Sequence, residues 1–258
     1  MPSVESIVLI VREGAEPAAE RVRAVAAQAG VEVREDGETA DLAVVLGGDG
    51  SMLRALGRFL GTGTPVLGVN YGRVGFLTAI SSDGLEEGLA RAFAGELRTI
   101  DLATLEVTVG EVTSPAVNDV VVAGSKLGRM VDLGYAIGGE DLGHLPCDAL
   151  IVATSTGSTA YNLSNGGPVL VWGLDAMVLT FVAPHSLHIR PLVVPHGPAA
   201  TVTNLTAGAD VSVLVDGHEV GTLAKGEQAV VRVSDRYSVL ATLPEVTFFR
   251  RYAATFGA

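Results

Sequence analysis

Basic residues are scarce in this chain: 17 Lys and Arg stand against 29 Asp and Glu, a formal net charge of −12. No run of five or more Lys and Arg occurs. The broad basic surface that phosphate-backbone binding needs is therefore missing, and nucleic acid is not an expected partner. The same balance repels polyanionic nucleotides at long range, so a nucleotide site must be built locally from arginines, oriented N–H groups and a divalent cation. Cysteine is scarcer still. With Cys147 alone, an intrachain disulfide is excluded, a cysteine-based metal site is disfavoured, and a reducing, cytoplasmic compartment is expected. Long apolar runs are also lacking. The opening run 7–11 is far shorter than a membrane span, and Glu5, Arg12, Glu13 and Gly14 flank it instead of a small-residue cleavage site. It is expected to be a first buried strand, with no membrane partner.

What is abundant is core-forming material: 48% of the 258 residues are hydrophobic, enough for one large domain or two small ones. The 32 glycines are scattered rather than periodic, which fits a turn-rich enzyme. Residues 6–11, 41–46 and 64–69 are compact apolar runs. Between them, 17–29 places Ala18, Val22, Val25 and Ala26 on one helical face, and 51–60 does the same with Leu53, Leu56 and Leu60. Residues 31–34 alternate as a short strand. Ser81, Ser82 and Asp83 are candidate N-caps for a helix reaching Phe93, with Leu85, Leu89 and Ala92 on its face. This order predicts an α/β domain over 1–100, a parallel sheet with helices on both faces.

Beyond Arg98 helical periodicity fades. Short Val, Ile, Leu and Thr segments, divided by Gly, Asp, Asn and Pro, recur at 104–109, 118–122, 132–137, 150–153, 178–181, 200–202, 211–215 and 229–233. A mainly antiparallel β domain over 101–245 is expected, with the boundary near 98–102. The aromatic tail 246–258 is expected to pack back on the first domain or on a neighbouring subunit.

The most informative short stretch is Leu46-Gly47-Gly48-Asp49-Gly50-Ser51, at the junction of an expected buried strand and helix. Glycines allow a tight turn and close ligand approach, and N–H groups opening a helix at a strand's carboxyl end suit a phosphate. An acid in such a loop either accepts a proton from an attacking hydroxyl or helps to hold a metal ion. An isolated Asp-Gly is usually only a turn. This one lies between strand and helix, yet it lacks the Gly-Lys-Ser/Thr of a P-loop, and Leu53 stands where a dinucleotide fingerprint has its third glycine.

The loop resembles the Gly-Gly-Asp-Gly element shared by NAD kinases, diacylglycerol and sphingosine-type lipid kinases and phosphofructokinases. A second block discriminates among them. Residues 148–164, DALIVATSTGSTAYNLS, followed by Gly166-Gly167-Pro168, are similar to the signature of the NAD kinase family. The resemblance runs from about Asp41 to Gly217 and includes Asn118-Asp119, Arg129, Ala183-Pro184-His185-Ser186-Leu187, Arg190-Pro191-Leu192 and Asp216-Gly217.

The resemblance implies an NAD kinase-like fold and transfer of the terminal phosphoryl group of ATP, or of polyphosphate, to the 2′-hydroxyl of the adenosine ribose of NAD. By family position, Asp49 would be the general base and Gly50 a backbone contact. Arg54 and Arg129 would neutralise phosphate. Asn118 and Asp119 would bind NAD hydroxyl and amide groups, and Asp148 with Thr159, Ala160, Tyr161, Asn162, Leu163 and Ser164 would complete the dinucleotide site. Mg2+ or another divalent cation would arrive with the nucleotide, and no protein metal site is implied. A homodimer or homotetramer is expected on the same ground.

Four positions depart from the family's pattern: Ser51 for threonine, Ser155 for proline, Pro146 for arginine and His218 for glutamine. The last two put a phosphate contact and a late dinucleotide contact in question, and Asp216-Gly217 fits a plain hairpin turn as well as a ligand role. His144, His185, His188 and His196 have no metal-binding spacing, while Trp172 and Cys147 read as packing residues. Two alternatives stay open: a lipid kinase of the same superfamily, and a dinucleotide sensor that has lost transfer.

Overall fold

The computed structural model describes residues 3–35, 37–72, 75–125 and 130–257. The chain divides into two compact units, one of residues 1–101 with 238–258, the other of 102–237.

In the first unit the strands Ser6–Val11, Leu42–Gly47 and Pro65–Asn70 lie side by side and parallel, with Glu32–Arg34 outside the first. They read as unbroken apolar runs because both faces are covered. Helix α1 (Glu16–Ala29) and helix α3 (Leu85–Phe93) pack together over the face carrying Ile7, Val44, Leu46, Leu67 and Val69. Helix α2 (Asp49–Arg58) contacts Leu42–Gly47 and Pro65–Asn70, and its Met52 sulfur lies where a Cβ on Gly68 would fall.

Helix α2 begins at Asp49 rather than at Ser51 and ends at Arg58, and its buried stripe is Ser51, Met52, Ala55 and Leu56. Leu53 and Leu60, expected on the buried face, are only partly covered. Helix α3 likewise starts from Gly84, without a side-chain cap; the Ser81 hydroxyl instead accepts the Gly84 N–H at 3.2 Å.

The chain re-enters this sheet near its end. Ser238–Thr242 pairs in parallel with Pro65–Leu67, so the β segment expected to run to 245 leaves the second unit earlier. Pairing with a strand so distant in sequence leaves no local pattern to read. The aromatic tail forms the short helix Phe248–Phe256, whose Phe248 and Phe256 rings meet Phe76 at 5.6 and 6.1 Å.

The second unit is two antiparallel sheets face to face. Alternate residues such as Leu105, Val107, Leu133, Val202 and Val231 from one sheet meet Val120, Val122, Leu150, Val152 and Val213 from the other in one core. The strand Ala149–Ala153 is buried on both sides, because Ile151, Ala149 and Ala153 pack outward beneath Leu170. Among the described residues no helix is long and apolar enough to cross a membrane.

Candidate active site

The Gly-Gly-Asp-Gly loop leaves the carboxyl end of Leu42–Gly47, where the sheet order turns from Glu32–Arg34 and Ser6–Val11 on one side to Pro65–Asn70 on the other. Such a switch point opens a crevice in a parallel sheet. Its walls are tied by backbone: the Arg12 N–H donates to the Leu46 carbonyl at 3.0 Å and the Tyr71 N–H to the Gly47 carbonyl at 3.0 Å. Both sides are tight: a Cβ on Gly72 would lie 3.2 Å from the Gly48 Cα, and one on Gly47 would lie 2.4 Å from the Ser51 hydroxyl and displace that side chain.

Asp49 opens helix α2, where the helix dipole favours a carboxylate. Its two oxygens accept the Phe76 N–H at 2.8 Å and the Leu77 N–H at 2.9 Å. That pair of bonds fixes the plane of the carboxyl group, yet each ionised oxygen retains a further lone pair. Gly50 is exposed, and beyond its own helix no atom of the described residues comes within 4 Å of where its Cβ would stand. Arg54 is exposed on α2 and donates to the Ser51 hydroxyl at 3.5 Å.

In the second unit Asn118 and Asp119 stand at the end of their strand where the register pairs Asp119 with Ala153. The Asp216 carboxylate accepts three N–H groups there, from Val117 at 2.9 Å, Asn118 at 2.7 Å and Asp119 at 3.1 Å. Asp216 and Gly217, with φ of 47° and 82°, form the two-residue turn joining Val211–Val215 to His218–Leu223. The hairpin is thus real, and its acid serves as a backbone clamp. Burial, reinforced by the Asp216 charge, pushes the Asp119 carboxyl up to about 6.

The long block folds around the same end. The Thr154 N–H donates to the Asn118 carbonyl at 2.9 Å, and the Thr154 hydroxyl donates to the Val117 carbonyl at 2.7 Å while accepting the Gly157 N–H at 3.0 Å. A Cβ on Gly157 would sit 2.1 Å from the Asn118 carbonyl oxygen, so only glycine closes this turn. Asn162 is wholly buried: its amide donates to the Ser158 and Pro168 carbonyls at 2.9 and 3.0 Å and accepts the Thr180 hydroxyl at 2.7 Å. By contrast, the buried Asn118 Oδ1, Ser155 Oγ and Thr156 Oγ1 have no partner among the described residues. Fully satisfied polar atoms are the rule in protein interiors. Three exceptions together leave hydrogen-bonding capacity that the fold does not spend.

The remaining expected residues scatter. Tyr161 and Ser164 are exposed, and Thr159, Ala160 and Leu163 are partly covered on the short helical turns that follow Gly157. Asp148 is exposed at the opposite end of Ala149–Ala153 from Asp119, so one chain does not bring these two acids together. Arg129 lies outside the described residues. Cys147 is buried, and desolvation with nearby Asp148 raises its thiol to about 12, which suits an inert packing residue. Two roles were invisible in the sequence: the clamp formed by Asp216, and Arg251, whose guanidinium donates to the carbonyls of Gly75, at 2.9 Å, and Thr78. Neither bond has a local spacing that would announce it.

Comparison with known proteins agrees with this picture across both units. The family model for the ATP-NAD kinase N-terminal domain matches residues 11–97, and that for the ATP-NAD kinase C-terminal domain matches residues 117–243. An NAD kinase of Ralstonia nicotianae is 41% identical over 228 residues, covering 83% of this chain and 75% of that protein. One from Nitratidesulfovibrio vulgaris is 33% identical over 272 residues, covering 98% and 96%. Among solved structures, an NAD kinase from Archaeoglobus fulgidus in complex with ATP superposes with a TM-score of 0.80 at 26% identity, covering 98% of this chain and 97% of that one. A yeast NADH kinase complexed with NADH shares the fold at a TM-score of 0.83 and 19% identity, covering 99% of this chain and 88% of that one. The chain therefore belongs to the NAD kinase family of phosphotransferases.

Proposed function

We propose that this enzyme phosphorylates the 2′-hydroxyl of the adenosine ribose of NAD, using ATP as donor and Asp49 as general base. Inorganic polyphosphate is the alternative donor. The observation that carries the reading is the setting of Asp49: an acid at a helix N-terminus and a strand's carboxyl end, held by two backbone N–H groups with lone pairs to spare. A base fixed in this way takes the hydroxyl proton as the ribose oxygen attacks the γ-phosphorus and the bond to the β-phosphate oxygen breaks. In such transfers positioning and charge neutralisation supply most of the acceleration.

Binding of the dinucleotide falls, in this reading, to Asn118 and Asp119, with the unspent polar atoms of Ser155 and Thr156 and the exposed Tyr161 ring beside them. Thr159, Ala160, Leu163 and Ser164 line the neighbouring turns, whereas Asn162 is assigned to scaffolding because its amide is already engaged. Gly50 offers its backbone, and Arg54 and Arg129 offer charge to phosphate. Asp148 meets the same dinucleotide only if that ligand runs the length of the strand, roughly 15 Å, or if a second copy presents it, which accords with a homodimer or homotetramer in the cytoplasm. Among the described residues no three His, Cys, Asp or Glu gather to hold a metal. In this reading the Mg2+ ion belongs to the nucleotide substrate and would neutralise its phosphate oxygens.

The test is NADP formation from NAD, ATP and Mg2+, read by an NADP-specific dehydrogenase cycle, with polyphosphate and NADH in parallel arms. Asp49→Asn should lower kcat by about 10^2- to 10^4-fold, the usual worth of a general base. Full turnover by that variant would remove Asp49 from the role. Absence of NADP from every donor with the native chain would overturn the reaction itself.

A further inference from the structure

We propose that Arg251, on the C-terminal helix, is a positioning residue for the Asp49 carboxylate, acting through the peptide that joins Gly75 to Phe76. This inference rests on the reading of Asp49 as the base. The guanidinium donates to the carbonyl oxygen of Gly75 at 2.9 Å, and the N–H of that same peptide, carried by Phe76, donates to Asp49 Oδ2 at 2.8 Å. One planar peptide therefore links a cation to an anion. A carbonyl that accepts from a cation polarises its peptide and strengthens the N–H as a donor. Arg251 also donates to the carbonyl of Thr78, beyond the second amide that Asp49 uses, that of Leu77. The turn 75–78 is thus held by a cation on its outer carbonyls and by an anion on its inner N–H groups.

The surroundings favour a fixed arrangement. The Phe76 ring meets Phe248 edge-on at 5.6 Å and Phe256 at 6.1 Å, both from the helix that carries Arg251. At Gly75 a Cβ would fall 1.9 Å from the Thr78 hydroxyl, so any side chain there would have to displace it. Burial lowers the Arg251 pKa and the charge of Asp49 opposes that, which places the two charges within electrostatic reach. A half-buried guanidinium spent on carbonyls gives up hydration that an apolar side chain at the same place would not. Orientation of the base accounts for that sacrifice.

The experiment compares Arg251→Gln, Arg251→Lys and, as a control on the same helix, Arg250→Gln, whose guanidinium donates to the Glu245 carbonyl. Amide hydrogen exchange at Phe76 and Leu77 is read beside steady-state kinetics and the pH profile of kcat. Arg251→Gln is expected to speed exchange at both amides about tenfold and to lower kcat about tenfold, with KM for NAD and ATP near native values and the acidic limb of the profile displaced. Arg251→Lys, which keeps the charge but not the two-carbonyl fork, should recover part of each effect. Unchanged exchange at Phe76 and Leu77, a change in KM instead of kcat, or an equal effect from Arg250→Gln would overturn the proposal. So would loss of cooperative melting in both Arg251 variants, which would make Arg251 a stabiliser of the whole fold. The exchange data stand apart from the chemistry: if Asp49→Asn retains full turnover, the base assignment fails while the clamp is still read at the two amides.

Discussion

Asp216 accepts the N–H of Asn118 at 2.7 Å, and the same carboxylate closes the N–H groups on either side of it. A residue at the turn of one hairpin thereby fixes the start of a neighbouring strand. Its φ of 47° confines the position to residues that tolerate left-handed backbone. Asp216→Ala should lose about 2–4 kcal/mol, combining three orphaned donors with backbone strain. Asp216→Asn, which keeps the turn but loses the charge, should lose less than half as much. Urea unfolding of the two variants checks this: equal losses would place the whole effect in the charged carboxylate, and no loss in Asp216→Asn would mean that its charge contributes nothing. KM for NAD should rise in both variants, because Asn118 is released.

Asp119 is held protonated to an unusual pH, its carboxyl raised to about 6 by burial first and by Asp216 second. An acid with a raised folded pKa binds its proton more tightly folded than unfolded. Its contribution is therefore neutral below about pH 4, grows unfavourable between about 4 and 6, and stays constant and unfavourable above. Asp119→Asn should accordingly be more stable than the native chain at pH 8, by up to roughly 3 kcal/mol for a shift of about two units. The gap should narrow as pH falls below 6 and close only below about pH 4. A gap independent of pH would show that the charge on Asp119 costs the fold nothing. Retaining an acid that weakens the protein near neutrality fits a residue kept for its ligand.

How much of this was legible depended on how local each signal is. The strand Leu42–Gly47 declared itself as an unbroken apolar run because helices cover both faces of its sheet, and the glycines after it announced a turn at a strand end. The edge strand Glu140–Cys147 did not. Five of its eight residues are exposed, and Gly143 and Pro146 interrupt any alternation. Ser238–Thr242 is apolar enough, but nothing within it says that its partner lies at Pro65–Leu67. The helix of the aromatic tail and the hold of Arg251 on the turn 75–78 are long-range for the same reason. Within the long block the sequence marked Asn162 and Ser155 alike as polar. Only the packing shows that the first is fully engaged and the second is not.

The glycines offer a paired test. Gly157→Ala would drive a Cβ to 2.1 Å from the Asn118 carbonyl oxygen and 2.5 Å from its carbon, both backbone atoms that cannot swing aside. A loss of about 3 kcal/mol or more is expected, of the size seen for severe overpacking. Gly50→Ala meets nothing within 4 Å and lies in a helix, where alanine is favoured by about 1 kcal/mol. It should melt no lower than the native chain. If KM for NAD or ATP nevertheless rises, the open space above Gly50 belongs to the ligand; unchanged kinetics would release Gly50 from the site.

Asn162 and Thr156 separate scaffold from binding group within a single block. Asn162→Leu leaves the Ser158 and Pro168 carbonyls and the Thr180 hydroxyl without partners in a buried place, so a loss of about 3–5 kcal/mol is expected from the accumulated desolvation. Thr156→Val replaces a buried hydroxyl that has no partner among the described residues with a methyl group of similar volume. Its unfolding free energy should stay within about 1 kcal/mol of native or rise, since an unpaired hydroxyl is removed. Its affinity for NAD, measured by calorimetry, should fall about tenfold, the worth of one hydrogen bond to a ligand in a dry site. Should Thr156→Val instead unfold early and bind NAD normally, the hydroxyl would be a structural group satisfied by water, and the dinucleotide would have to be held by Asn118 and Asp119 without it.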